Sequence, residues 1–431
     1  MTVIVVGGGV AGLVAARELV LGGEQVLLLE ASDRLGGIVA HQTVGDILID
    51  TGAESFATRR GSVAALATSL GLADAIVEPN PEGAWLRKST GESLPLPATS
   101  MLGIPGVPLA ADVVAVIGRK AAWRAMLDAL MPGTIGARSH TLGTLVAKRM
   151  GEGVLRELVA PVVEGIHSRH PNELVIDRAA PTLRQALLRE GSLARAVRDL
   201  RSPAKAGTAI QGIRGGMNRV VEELVADIER FGVEVRLNTR VESVAAGTVV
   251  VDGETLVGDV VVAAPHVAGA AVGIPDEDEQ VTVVILVVDN PALDSFPRGT
   301  GVLVATGSDG VTARALTHST AKWPWLAERV PAGRHVVRLS YDTTTAPADL
   351  ESVARADAEA LLGLPLGDVV ALARADWRRP APQGDAVEGV WLTGEATGGT
   401  GLANVVAHAT ATAQALLAAR ADDEVPNAER R

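Results

Sequence analysis

The first thirty residues constrain this chain more than any other stretch. Residues 3–6 (VIVV) read as a short strand buried on both faces, and the run Gly7-Gly8-Gly9-Val10-Ala11-Gly12 follows at once. Helical spacing then takes over across residues 10–22, through Leu13, Ala16, Arg17 and Val20. Residues 25–29 (QVLLL) form a second buried strand that ends on an acid, Glu30. Strand, turn, helix and strand within about 30 residues is the size of a parallel crossover unit. A lone G-x-G-x-x-G is weak, but between a strand and a helix, with an acid closing the next strand, it marks a dinucleotide site. Gly7 permits the turn, Gly9 lets the backbone approach a pyrophosphate, and Gly12 lets helix and strand pack closely. The N–H groups at Val10 and Ala11 open the helix and offer partial positive charge to phosphate, while Glu30 accepts from ribose hydroxyls.

Composition narrows the rest. At roughly 100–200 residues per domain, 431 residues predict two or three structural units. Hydrophobic residues make up 47% and charged residues 21%, so the chain can build large cores and is not a disordered polymer. A formal net charge of −12 leaves no global basic footprint for nucleic acid. The absence of cysteine removes disulfides, thiolate metal sites, iron–sulfur clusters and cysteine nucleophiles. Aromatic residues are 2%, with one tyrosine, Tyr341, so an aromatic cage is hard to assemble. The eight histidines show no ligand spacing beyond His167 and His170, and no metal is expected.

The N-terminus lacks a basic leader region, and no uninterrupted apolar run of about 18 residues occurs. A cytoplasmic protein is expected, with peripheral membrane contact at most. The most membrane-like region is 101–131, where the apolar run 109–118 is followed by Arg119, Lys120 and Arg124 beside Trp123. It reads as a core or lid helix in preference to a helix lying on lipid.

Periodicity predicts a helix at 61–72 and short extended pieces over 76–98. Residues 100–200 read as mostly helical, broken at Pro132, Gly133, Pro161, Pro171 and Pro181. A linker at 202–216, a helix at 217–231 and strands at 234–237, 248–251 and 259–263 follow. Residues 280–289 and 335–342 alternate like sheet strands, and 350–362 reads as an amphipathic helix. The last helix is expected at 403–421, with a disordered tail at 421–431.

After Glu30 come Ala31-Ser32-Asp33-Arg34-Leu35-Gly36-Gly37, and later Asp50, Gly52 and Ala53-Glu54-Ser55. The E-A-x-x-R-x-G-G run resembles the extended signature of the flavin amine oxidase superfamily, which a simple NAD dehydrogenase does not need. The resemblance implies that Arg34 approaches the pyrophosphate and that Gly36-Gly37 let the chain pass close to the flavin. It places Gly52, Ala53, Glu54 and Ser55, together with Trp377, at the cofactor. Residues 235–241 are expected to form a strand whose Val241 backbone contacts adenine. Asp259-Val260-Val261-Val262-Ala263-Ala264-Pro265 resembles the D-x-V-V-x-A-x-P strand of the superfamily. Gly394-Glu395 and Gly401-Leu402-Ala403 precede the last helix, whose N-terminus would face the flavin pyrimidine ring. The implied cofactor is FAD, held non-covalently.

Within that superfamily the chain resembles the oxygen-dependent protoporphyrinogen/coproporphyrinogen oxidases of haem synthesis, most of all the Gram-positive bacterial type. Gly52-Ala53-Glu54-Ser55-Phe56 followed by Arg59-Arg60 is similar to G-P-D/E-S-F-x-x-R-K. Pro95-Leu96-Pro97 with Gly103-Ile104-Pro105, Pro161 with Gly165-Ile166, Lys322-Trp323-Pro324, and Trp377 with Pro382-Gln383 match further elements in order. The chain departs from the pattern at Gly384, at Ala403-Asn404 and at Ser168-Arg169-His170-Pro171.

The resemblance implies an α/β plus α+β architecture. A Rossmann-like FAD domain would come from 1–75, 202–265 and 388–420, a mixed-sheet substrate domain from 76–97 and 266–387, and a helical insertion from 98–201. It implies six-electron oxidation of coproporphyrinogen III to coproporphyrin III by O₂, with release of H₂O₂ and no dedicated catalytic side chain, because the flavin carries the chemistry. Arg59 and Arg60 are the candidates for the substrate propionates, since guanidinium suits carboxylate. The downstream iron-inserting enzyme of haem synthesis is the implied protein partner. Protoporphyrinogen oxidation, another oxidase or desaturase of the superfamily, and a non-catalytic FAD-bound scaffold stay open as alternatives.

Overall fold

The computed structural model describes residues 2–167, 169–180, 182–200, 209–264, 267, 279–342, 349–379 and 388–424. A five-stranded parallel sheet has Val3–Val6 at its centre, between Val26–Leu29 and Asp259–Val262, with Glu234–Arg236 and Val390–Leu392 at the edges. The three inner strands are apolar at almost every position because both sheet faces are covered. On one face pack the helices Val10–Leu21, Asn218–Arg230 and Leu402–Glu424. On the other lies a three-stranded antiparallel sheet, Val241–Ala245, Thr248–Val251 and Glu254–Val257. The parallel strands thus come from three separated stretches of chain.

A second, seven-stranded sheet runs in the order Asp368–Arg379, Glu279–Asp289, Arg334–Asp342, Ala315–His318, Gly301–Val304, Trp85–Arg87, Ser93–Pro95. It is mixed, because Gly301–Val304 pairs parallel to Trp85–Arg87 while the other neighbours are antiparallel. One face buries the helix Leu350–Leu362, with Ala354, Ala358 and Leu361 against Val337, Leu339 and Tyr341. The opposite face receives the hairpin His41–Val44/Ile47–Asp50 through Val44, Ile47 and Ile49. Residues 51–55 therefore leave that hairpin between the two sheets.

Residues 98–200 form a helical layer with its own core around Leu145, Val146, Val163, Leu187 and Val197. At its centre Arg149 and Asp128 make a fully buried ion pair.

Several expectations need correction. The strand expected at 235–241 is interrupted: Glu234–Arg236 ends, Asn238 takes φ 53°, and a new strand starts at Val241. The turn is pinned by Asn238 N–H to the Ser32 carbonyl and Thr239 N–H to the Glu30 carbonyl. Of the expected linker 202–216, Ile210–Ile213 is a strand paired with Phe56–Ala57 and Ile76–Val77; residues 202–208 lie outside the described residues. Pro161 does not break the helical run. It sits in the first turn of Ala160–His167, and the widened π turn Leu155–Val159 before it accommodates a residue with no N–H. Within Ala111–Met126 the kink falls at Gly118, φ 76° and ψ 160°. The last helix runs to Glu424, so 421–424 are helical, and 425–431 lie outside the described residues. That helix is long and apolar enough over Leu402–Asp422 to cross a membrane, but its Ala409, Ala413 and Leu416 are buried in the core shared with the first helix.

Candidate cofactor site

The glycine turn separates packing roles from binding roles. Gly7 has φ +102°, and a Cβ on it would lie 2.9 Å from the Ala264 nitrogen. A Cβ on Gly12 would lie 1.8 Å from the Gly7 carbonyl oxygen. Both must be glycine for the chain to pack. Gly9 has ordinary extended geometry, and its Cβ would meet nothing nearer than the Gly37 Cα at 4.0 Å. Packing does not require a glycine there; an approaching ligand does. Gly9 caps the helix Val10–Leu21 with no side-chain cap and no acid in the first turn. The leading N–H groups at Val10, Ala11 and Gly12 have no intrahelical acceptor.

Glu30 is engaged with this turn. Its Oε2 accepts from the Gly8 N–H at 2.6 Å, and its Oε1 accepts from the Ser32 N–H at 2.8 Å and hydroxyl at 2.7 Å. Gly36 N–H donates to the Gly8 carbonyl at 2.8 Å, which lays residues 36–37 beside the turn. Ala31 and Arg34 are exposed at the rim. Arg34 Nη2 donates to the Gly37 carbonyl at 2.9 Å, with its guanidinium 5.7 Å from the centre of the Trp377 ring. Val241 follows the turn that rests on Glu30 and Ser32.

A second helix N-terminus meets the first. Gly394, at φ +101°, packs where its Cβ would lie 3.6 Å from that of Ala11, and the short helix Glu395–Gly398 follows. Gly401 then leads into Leu402–Glu424; its carbonyl accepts from Asn404 and Val405, and again no acid lies in the first turn. Val10 and Leu402, the first residues of the two helices, line one apolar hollow with Val39, Val63, Met217 and Val406. Two positive helix ends thus converge on the carboxyl ends of the parallel strands, where anionic ligands of such sheets bind.

The segment 50–55 is gripped from the seven-stranded sheet. Arg338 donates to the Gly52 carbonyl at 2.7 Å and to Glu54 Oε2 at 2.6 Å. Lys322 holds Glu54 Oε1 at 2.5 Å. Trp377 Nε1–H donates to the Thr51 carbonyl at 2.9 Å. Burial opposes the Glu54 charge, but Lys322 and Arg338 outweigh it and hold the carboxyl at about 2. Asp50 differs. Burial dominates and pushes it up to about 6, despite a 2.8 Å hydrogen bond from the Met217 N–H and the nearby Arg338. Glu54 was assigned to the cofactor by resemblance; its carboxylate is committed to Lys322 and Arg338. A Cβ on Gly52 would lie 1.7 Å from the Ile38 carbonyl oxygen, so that glycine is needed for packing. Ala53 and Ser55 are half-buried in the same segment.

Arg338 is the residue that sequence reasoning missed. Its signal is one arginine inside an otherwise apolar alternation, His335-Val336-Val337-Arg338-Leu339. Arg60 is exposed at the end of the short helix Thr58–Arg60. Ser62, two residues on, donates to the Ala403 carbonyl at 2.7 Å, which ties this segment to the start of the last helix. The Arg59 side chain, Pro265 and Pro382-Gln383-Gly384 lie outside the described residues. Arg87 is bonded to the Ser308 hydroxyl and to the Asp309 and Ala360 carbonyls. Arg124 donates to the Lys148 and Arg149 carbonyls at a helix end. Among the described residues no group of three metal-type side chains comes together.

The sequence profile of flavin containing amine oxidoreductases matches residues 10–417. The chain belongs to that family. The family's cofactor is a flavin, and the glycine turn with the two helix ends forms a cradle whose open backbone at Gly9 fits a flavin dinucleotide. A Mycobacterium leprae protein named coproporphyrinogen III oxidase is 30% identical over 372 residues, 78% of this chain and 76% of that one. A Bacillus subtilis protein of the same name is 27% identical over 378 residues, 78% and 76% of the two chains. Among solved structures, a protein from Exiguobacterium sp. 255-15 superposes with a TM-score of 0.81 at 22% identity, covering 97% of this chain and 99% of that one. Cyclohexylamine oxidase from Brevibacterium oxydans gives 0.68 at 18% identity, covering 97% and 99%. Both share the fold.

Proposed function

We propose that this flavoprotein binds FAD without a covalent bond and oxidises coproporphyrinogen III to coproporphyrin III, using three O₂ and releasing three H₂O₂ in a six-electron reaction. The observation that carries the substrate is that relatives bearing that name align over three quarters of both chains. The flavin supplies hydride acceptance. The protein's own part is to hold the pyrophosphate on the backbone at Gly9, Val10 and Ala11 and to put a helix end at Leu402 and Ala403 against developing negative charge. Arg60 and Arg59 serve the propionates. An amine oxidase with a flanking tyrosine is disfavoured by a specific observation. Tyr341, the one tyrosine, is fully buried in the mixed sheet, donating to Asp357 at 3.1 Å.

The product passes to an iron-inserting enzyme, and, contrary to the core-helix reading of 101–131, the helical layer touches lipid peripherally. An exposed stripe, Trp123, Met126, Leu127 and Leu130, beside the exposed Arg119 and Lys120, supports that contact. Co-sedimentation with anionic vesicles, lost in Trp123→Glu/Leu130→Glu, tests it.

The activity test mixes anaerobically prepared coproporphyrinogen III with FAD-loaded protein in air. Porphyrin fluorescence well above the uncatalysed rate, with about three peroxides per porphyrin, is expected. A yellow protein that gives only the background rate overturns the substrate assignment.

A further inference from the structure

The segment 52–55 carries more charge than its packing needs. Two cations, Lys322 and Arg338, converge on one carboxylate, Glu54, with side chains 13%, 8% and 14% exposed. Arg338 also reaches across to the Gly52 carbonyl, so one guanidinium spans the backbone and the side chain of the same short segment. Its Nε and the Oδ1 of neighbouring Asp50 are both buried without a hydrogen-bond partner. Asp50 packs against Gly216 and Met217, and Met217 lines the hollow shared by the two helix ends. The two cations come from the seven-stranded sheet and the short helix that follows one of its strands, whereas the segment they grip, Glu54 included, follows the hairpin.

We propose that Arg338 is a positioning residue that fixes residues 52–55 against the flavin, and that the charge balance of Arg338, Lys322 and Glu54 sets the flavin reduction potential. This rests on the flavin reading of the cradle. The physical reason is that reduction adds negative charge to the flavin, and protein charges nearby weight the two redox states differently. Partly buried charges are poorly screened, and this cluster adjoins the cradle through Asp50 and the Met217 N–H that donates to it at 2.8 Å. Removing a cation disfavours the reduced form. Removing the carboxylate favours it.

The test measures the flavin midpoint potential of the holoprotein by dye equilibration in wild type, Arg338→Met, Arg338→Lys and Glu54→Gln. Arg338→Met is expected to shift the potential negative and Glu54→Gln positive, with Arg338→Lys close to wild type. Opposite signs are the signature, because mere loosening of the segment moves both variants the same way. Shifts of one sign, or none, in flavin-loaded variants overturn the proposal. Should Arg338→Met fail to fold, Glu54→Gln decides alone, and an unshifted or negative potential there overturns it. A wild-type chain that takes up no flavin overturns the cofactor reading, and the proposal with it.

Discussion

The Glu30 carboxylate accepts a hydrogen bond from the Gly8 N–H at 2.6 Å, so the acid that ends the second strand also fixes the glycine turn that follows the first. We propose that residue 30 acts on a dinucleotide twice, through the ribose and through the shape of the phosphate loop. Glu30→Ala removes both. Hydrogen bonds to a charged group are worth about 1.5–3 kcal/mol each, so FAD affinity should fall roughly ten- to a hundredfold. Glu30→Gln keeps the shape and should lose less. Fluorescence titration of deflavinated protein with FAD measures both, and an unchanged Kd in Glu30→Ala removes the residue from the site.

The glycines of one motif should fail in different ways. Gly9 has room for a side chain and unstrained φ, so Gly9→Asp should fold with near wild-type thermal stability while losing flavin, because a carboxylate then stands where phosphate belongs. Gly12→Val drives a side chain into the Gly7 carbonyl and should lower the yield of folded apoprotein. Circular dichroism melts beside the flavin-to-protein absorbance ratio separate the two. Retained stoichiometric flavin in Gly9→Asp sinks the cradle assignment.

Asp50 makes the protein pH-sensitive in a definite direction. Its carboxyl is pushed from 3.8 to about 6, chiefly by burial. A raised folded value means that its contribution is fully present below the unfolded value and is lost as pH rises through about 6. Asp50→Asn should therefore be more stable than wild type at pH 8, by up to about 3 kcal/mol for a shift of this size, with the gap closing towards pH 4. Glu54 runs the other way. Its carboxyl is lowered from 4.5 to about 2, so its contribution is present above 4.5 and is lost on acidification towards 2. Urea melts across pH 4–8 read the Asp50 difference, and a constant gap contradicts the burial argument.

The helical layer depends on one ion pair. Arg149 donates to the Pro132, Ile135, Asp128 and Gly191 carbonyls and to the Asp128 carboxylate. Asp128 also accepts from the Ser192 hydroxyl and from the N–H groups of Leu193 and Ala194 at the start of the helix Leu193–Leu200. Arg149→Met leaves a buried carboxylate without its cation and should cost about 3–5 kcal/mol in denaturant unfolding. The double variant Asp128→Asn/Arg149→Met should lose less than the sum of the singles, since the stranded charge is gone.

How much of this was legible depends on the range of the interaction. The turn at residues 7–12 follows from local spacing, because Gly12 answers to the Gly7 carbonyl within the same unit, while the contact of Gly7 with Ala264 comes from the distant strand beside it. The helix expected at 350–362 is Leu350–Leu362, since its apolar face and the αL glycine that ends it, Gly363, lie within its own sequence. The break at 237–240 was not legible, because it is imposed by Ser32 and Glu30, some two hundred residues away in the chain. The same holds for Arg338. Nothing local says that an arginine in a strand will reach the Gly52 carbonyl, and only the packing of hairpin on sheet brings them together.

Arg60 offers the sharpest separation of substrate recognition from cofactor chemistry. It is exposed, and the segment that carries it is tied to the last helix through Ser62 and Ala403, so a substitution should leave the cradle intact. Coproporphyrinogen brings several carboxylates to a chain of net charge −12, which makes a local cation valuable for binding. Arg60→Glu should raise KM for coproporphyrinogen roughly tenfold and leave kcat nearly unchanged, the pattern of lost binding that is equal in ground and transition states. Porphyrinogens with fewer carboxylates should suffer less, and added salt should shrink the difference, because an exposed charge is screened. Steady-state kinetics with both substrates at two ionic strengths decide it. An equal rise in KM for both removes Arg60 from carboxylate recognition and leaves it a solvated arginine at a helix end.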